Sequence, residues 1–177
     1  MAFSSPILGL MGPISVADSI DAPREQVFDF VCDLANRPAF TDHFLSDFHL
    51  ERFESAGAGA AARMRIAKPR LWMETVIVEA DRPYRIAESG RGGRWDRIPI
   101  LTGWEVIEGP GSATSVVTLR FGTEPSHPVD RLRELRFGER FYRHRWSSAL
   151  ARLKDLIESG RPAERVAIAG GARMPIT

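Results

Sequence analysis

The chain has 177 residues, 44% of them hydrophobic and 27% charged, with 24 Lys and Arg against 23 Asp and Glu and a net charge of +1. That is enough for one domain with a proper core and marginal for two, in the composition range of ordinary globular proteins. So small a net charge gives no case for nucleic acid or a membrane surface as a general partner, and a single cysteine, Cys32, excludes an internal disulfide.

Residues 1–12 read as an N-terminal extension. Its apolar patch, Ile7-Leu8-Gly9-Leu10-Met11, lacks the basic start and the length of a secretory signal. No apolar run reaches the roughly 18 residues of a membrane span. The expectation is a cytoplasmic protein without stable membrane insertion. A strand is expected over 13–21, where Ile14 and Val16 alternate with polar neighbours. A helix follows from Pro23, which suits a first turn because its missing N–H costs nothing there. Glu25 complements the positive N-terminal end, and Val27, Phe30, Val31 and Leu34 recur at helical spacing. Cys32 falls inside this pattern and reads as a small core residue, since no local signature supplies a base to make it a nucleophile. Asn36-Arg37-Pro38 breaks the helix, and 38–43 can form a second short helical turn.

Six strand-like segments come next, at 48–53, 62–67, 71–80, 84–89, 95–108 and 115–121. Short turns join them, which favours an antiparallel meander. The loop Ser55-Ala56-Gly57-Ala58-Gly59-Ala60 carries two glycines suited to positive φ, and no Gly-Lys-Ser/Thr follows to make it a phosphate loop. Pro99 marks a bulge or edge in the sixth strand. A connector over 122–128 leads to a long helix, 128–159, with Leu132, Leu135, Tyr142, Trp146, Leu150, Leu153 and Ile157 on one stripe. Gly138 inside it costs about 1 kcal/mol relative to alanine and suits a bend or a close approach. Residues 160–177 are rich in Pro, Gly and Ala and read as a C-terminal tail that, if ordered, docks on the domain or across a homodimer.

The order strand, helix, short helix, six strands, long helix resembles the START-like superfamily, the SRPBCC group that includes polyketide cyclase/dehydrase-like proteins and shares the helix-grip fold of birch-pollen allergens. The resemblance covers about 13–159. It rests on Ile20-Asp21-Ala22-Pro23 through Val27-Phe28-Asp29-Phe30-Val31 and Asp33, on Val78-Glu79-Ala80-Asp81-Arg82-Pro83-Tyr84-Arg85-Ile86, and on Trp104-Glu105-Val106 before a Gly-Pro-Gly turn and the 117–121 strand. It implies an α+β helix-grip fold: a seven-stranded antiparallel curved sheet wrapped around a long C-terminal helix, with two short helices after strand one. The family usually has a tryptophan just after the first helix. Phe40 stands in that region here, which implies a different pocket wall.

Strand parity nominates cavity residues. With Val76 and Val78 inward, Trp72 and Glu74 point inward too; with Ile86 inward, so does Glu88. Ile100, Thr102, Trp104 and Val106 share a face, as do Val117, Leu119 and Phe121. Leu135, Tyr142 and Trp146 on the last helix face the sheet. The expected ligand-binding set is therefore Trp72, Val76, Ile86, Ile100, Thr102, Trp104, Leu119, Leu135, Tyr142 and Trp146, with Glu88, Glu74 and Tyr142 as acid or base candidates. Such a mostly apolar chamber suits a ring-containing or lipid-like molecule oriented by few hydrogen bonds. A carboxylate left alone in it would have a raised pKa and could move protons. The plainer reading is that each glutamate pairs with an arginine or faces solvent.

The resemblance places a cavity mouth among alternate strand connections and the start of the last helix, near His43, Lys68, Arg70, Arg91, Arg94 and His127. A basic rim there would steer a carboxylate, a phosphopantetheine or an acyl carrier protein. No His, Cys, Asp and Glu cluster has metal spacing, no Gly-x-Ser-x-Gly elbow exists, and basic residues do not interleave with aromatics. Metal, other cofactor and nucleic acid are accordingly not expected. Three functions remain: binding of a hydrophobic or aromatic small molecule, polyketide cyclase or aromatase chemistry on the same fold, and a co-chaperone-like or toxin-like interaction module.

Overall fold

Period-two alternation and short turns give an antiparallel sheet of seven strands, and helical periodicity gives the helices that pack on it. The structure, a computed structural model, describes residues 14–67, 70–111, 113–133 and 138–163. The strands are β1 (Ile14–Ile20), β2 (Leu45–Leu50), β3 (Ala61–Ile66), β4 (Leu71–Asp81), β5 (Arg85–Gly92), β6 (Ile98–Glu108) and β7 (Ser115–Thr123). The helices are α1 (Arg24–Cys32), α2 (Arg37–Thr41), α3 (Pro128–Arg133) and α4 (Glu139–Ser159). One sheet runs in the order β1-β7-β6-β5-β4-β3-β2, so the meander β2 to β7 is closed by β1 pairing with β7. This is the expected helix-grip-like α+β architecture.

The long α4 lies on the inner face of the sheet. Its buried stripe is Trp146, Ala149, Leu150, Leu153 and Ile157, the i, i+3, i+4, i+7 spacing of an amphipathic helix. It packs along β1 and against α2. Each fully buried Leu or Ile contributes about 1.5–3 kcal/mol of burial. Two polar ties fix the far end of α4: the Asp21 N–H donates to Glu158 Oε1 at 2.9 Å, and Gly160, at φ 62, ends the helix with its N–H on the Ile157 carbonyl. Ser115 Oγ donates to the Ala22 carbonyl at 2.6 Å and pins the entry of α1 to β7.

Several boundaries differ from expectation. Strand two is Leu45–Leu50 rather than 48–53, because Asp47 at φ 49 makes a bulge that lets both Leu45 and Leu50 reach the core. The sixth strand begins at Ile98. Trp95 sits before it in a 3₁₀ turn, Arg94–Asp96, at φ 67 and exposed. The helix expected over 128–159 is described as helix on both sides of residues 134–137, as α3 and α4, and those four residues lie outside the described residues. Residues 1–13 and 164–177, which hold nearly all of the two terminal segments, lie outside the described residues, as do Lys68 and Leu135.

Candidate functional site

At the centre of the inner face, Glu88 on β5 meets Arg37 at the start of α2. Both are buried, with 2% and 3% of their side chains exposed. Arg37 Nη2 donates to Glu88 Oε1 at 2.6 Å and Nη1 to Oε2 at 3.4 Å. Trp104 Nε1 on β6 donates to Oε1 at 2.8 Å, and Thr75 Oγ1 on β4 to Oε2 at 3.0 Å. Each carboxylate oxygen has about two acceptor positions, so four donors fill the group. The local reason is topological. Glu88 pairs across the sheet with Thr102, one step from the Ile86–Trp104 pair, so β5 and β6 present glutamate and indole side by side. A buried carboxylate demands a cation. Asp33 opens the turn that supplies it: its carboxylate accepts the Ala35 N–H at 3.0 Å, and the 3₁₀ turn Leu34–Asn36 feeds straight into Arg37.

Aromatic rings surround this pair. The Arg37 guanidinium carbon lies 5.0 Å from the Trp104 ring centroid and 5.8 Å from that of Phe40. Trp104 meets Phe40 at 6.3 Å and Trp146 at 5.9 Å, both edge to face. Trp146 also touches Phe44 and Phe121, and Phe121 stacks on Tyr142 at 4.7 Å. Two buried donors here have no acceptor among the described residues: Arg37 Nε and Trp146 Nε1. Native interiors rarely leave such N–H groups unpaired.

Ile86, Ile100, Thr102, Trp104, Leu119 and Trp146 are buried on this inner face, and Tyr142 is half-buried beside them. Trp72, Glu74 and Val76 are not on it. Met73, Thr75 and Ile77 occupy the inner face of β4, and the other three lie on the outer face. The cause is a bulge between Ile77 and Glu79. Ala80 sits opposite the inward Ile86, and counting back by twos through Val78 predicts Val76, Glu74 and Trp72 inward. The extra residue at the bulge inverts the phase. On the outer face Glu74 is 3.6 Å from Arg63, and Trp72 packs under the guanidinium groups of Arg63 and Arg65. Glu74 is thus no candidate for interior acid or base chemistry. Arg37 and Thr75, the partners of Glu88, are interior polar residues that strand parity did not nominate.

Of the basic residues expected at a mouth, Arg70, Arg91 and His127 are exposed. They share one end of the sheet with residue 94: Met73 pairs with Gly92, and the Glu124 N–H after β7 donates to the Pro99 carbonyl at 2.9 Å. His43 is half-buried on Phe44, with Nε2 3.1 Å from the Arg145 carbonyl of α4. Burial, reinforced by Arg152 and Arg145, holds its pKa below the ordinary histidine value. Cys32 is buried, and burial raises its thiol pKa. Among the described residues no group of three His, Cys, Asp or Glu is placed to hold a metal, and no helix is long and apolar enough to cross a membrane.

Solved structures share this architecture. TTHA0849 from Thermus thermophilus aligns with a TM-score of 0.66 at 15% identity, over 85% of this chain and 100% of that one. A START superfamily protein from Mycobacterium smegmatis aligns at 0.57 and 11% identity, over 84% and 97%. DynU16, from the dynemicin biosynthetic locus, aligns at 0.58 and 17% identity over 87% of this chain, which spans 49% of that protein. No curated protein matches the sequence. These likenesses concern the fold. The sequence profile described as polyketide cyclase/dehydrase and lipid transport matches residues 11–158, and the chain belongs to that family.

Proposed function

We propose that this protein binds a hydrophobic, ring-containing small molecule between the sheet and α4, without chemistry at Glu88. The observation that carries the reading is the wall of Phe40, Phe44, Trp104, Phe121 and Trp146 around the Arg37–Glu88 pair, with two buried N–H donors, Arg37 Nε and Trp146 Nε1, unpaired among the described residues. Apolar rings supply area, and a few donors set orientation. Family membership supports a hydrophobic ligand. The cyclase alternative needs a carboxylate free to take or give a proton. Glu88 has both oxygens occupied by four donors, which weighs against that role. Trp104 and Trp146 provide the readout. Titration with lipids and aromatic polyketides should quench or shift their fluorescence and raise the melting temperature. A panel that changes neither would overturn the reading.

A further inference from the structure

We infer that the buried Arg37–Glu88 pair selects the charge of the ligand: it admits a neutral carbonyl-bearing ring molecule and rejects the matching carboxylate. This rests on the interior binding proposed above and names the ligand class for that site. Arg37 alone would attract an anion. Its charge is already matched by Glu88 at 2.6 Å inside the protein. Of the donors it retains, Nε–H is buried and without an acceptor among the described residues. So is the indole N–H of Trp146, whose ring borders Trp104 at 5.9 Å, while the Arg37 guanidinium lies 5.0 Å from the same Trp104 ring.

A ketone or quinone oxygen can accept from either of these donors and leave the interior neutral. A carboxylate would place a second negative charge close to Glu88, in surroundings where water screens little. Glu88 is therefore a specificity residue that acts through Arg37. Thr75 and Trp104 hold it in place through their own hydrogen bonds, so the counter-charge is fixed.

The test uses three probes of one ring system at pH 7: naphthalene, 2-acetylnaphthalene and 2-naphthoate, with affinities from tryptophan fluorescence. Wild type should bind the ketone about tenfold more tightly than naphthalene, the scale of a hydrogen bond from a charged donor, and at least about tenfold more tightly than naphthoate. Glu88→Gln should shrink or reverse the preference of ketone over naphthoate, read as the ratio of the two affinities within the folded variant. Trp146→Phe keeps the ring, removes one donor and should lower the ketone-to-naphthalene ratio several-fold. The wild-type ratios decide even where Glu88→Gln fails to fold. Naphthoate bound as tightly as the ketone would overturn the charge selection, as would a folded Glu88→Gln protein with unchanged ratios. Naphthalene bound with no preference for the ketone would overturn the donor role and leave interior binding standing. No binding of any probe would overturn interior binding itself.

Discussion

Removing Arg37 exposes the energetic logic of the site most sharply. In Arg37→Met the Glu88 carboxylate stays buried and keeps only Thr75 and Trp104 as donors. Breaking one side of a buried pair costs about 3–5 kcal/mol, because the remaining charge has lost its counter-ion. For a domain of this size that is a fall in Tm of about 6–20 °C. Glu88→Met strands the Arg37 charge and also takes the acceptor from Thr75 and Trp104, so it should cost at least as much. The double variant removes both charges. It leaves the Thr75 hydroxyl and Trp104 N–H without their acceptor, at about 1–3 kcal/mol each, as Glu88→Met also does, so it should be more stable than Glu88→Met and should lose less than the two single variants combined. Urea unfolding followed by tryptophan fluorescence measures all four proteins, with equal m-values checking that the comparison is sound. Additive losses, with coupling below about 0.5 kcal/mol, would refute a charge pair isolated from water.

Three further outcomes follow from packing and titration. A Cβ on Gly90 would lie 1.9 Å from the Glu74 carbonyl oxygen, whereas one on Gly103 would meet nothing within 4 Å. Gly90→Ala should therefore cost about 1–3 kcal/mol in urea unfolding, and Gly103→Ala should be neutral or slightly stabilising. Because burial holds His43 below the ordinary value near 6.5, the unfolded chain takes up the proton more readily. Stability present above about pH 6.5 is then lost as pH falls, and His43→Gln should flatten the stability profile between about pH 7 and 5. Cys32 should react with an aromatic disulfide reagent at least about a thousandfold more slowly in the native protein than in urea, since only opening of α1 exposes its thiol.

The fold was legible because its punctuation is local. Pro23 and Glu25 mark the start of α1, and short turns separate strands that alternate cleanly, as in Ile100, Thr102, Trp104 and Val106. Parity therefore placed Glu88 inward correctly. It failed on β4, where both faces carry large apolar residues and a bulge shifts the phase. Trp72 is apolar yet lies outside because two arginines cover its ring. Arg37 was harder. In sequence it belongs to a helix break, and its burial follows from a partner 51 residues away. The usable clue was Glu88 itself, since a carboxylate on a buried face requires a cation from elsewhere in the chain. The ligand stayed hidden because apolar walls record size and shape, while identity rests on the few polar atoms that tertiary structure brings together.

Native mass spectrometry of the purified protein, followed by denaturing extraction, tests the binding account most directly. The account predicts an additional mass carried by the folded protein, released on unfolding as a ring-containing hydrophobic molecule. A protein that flies empty, and that shows no thermal shift with lipids or aromatic polyketides, would contradict it.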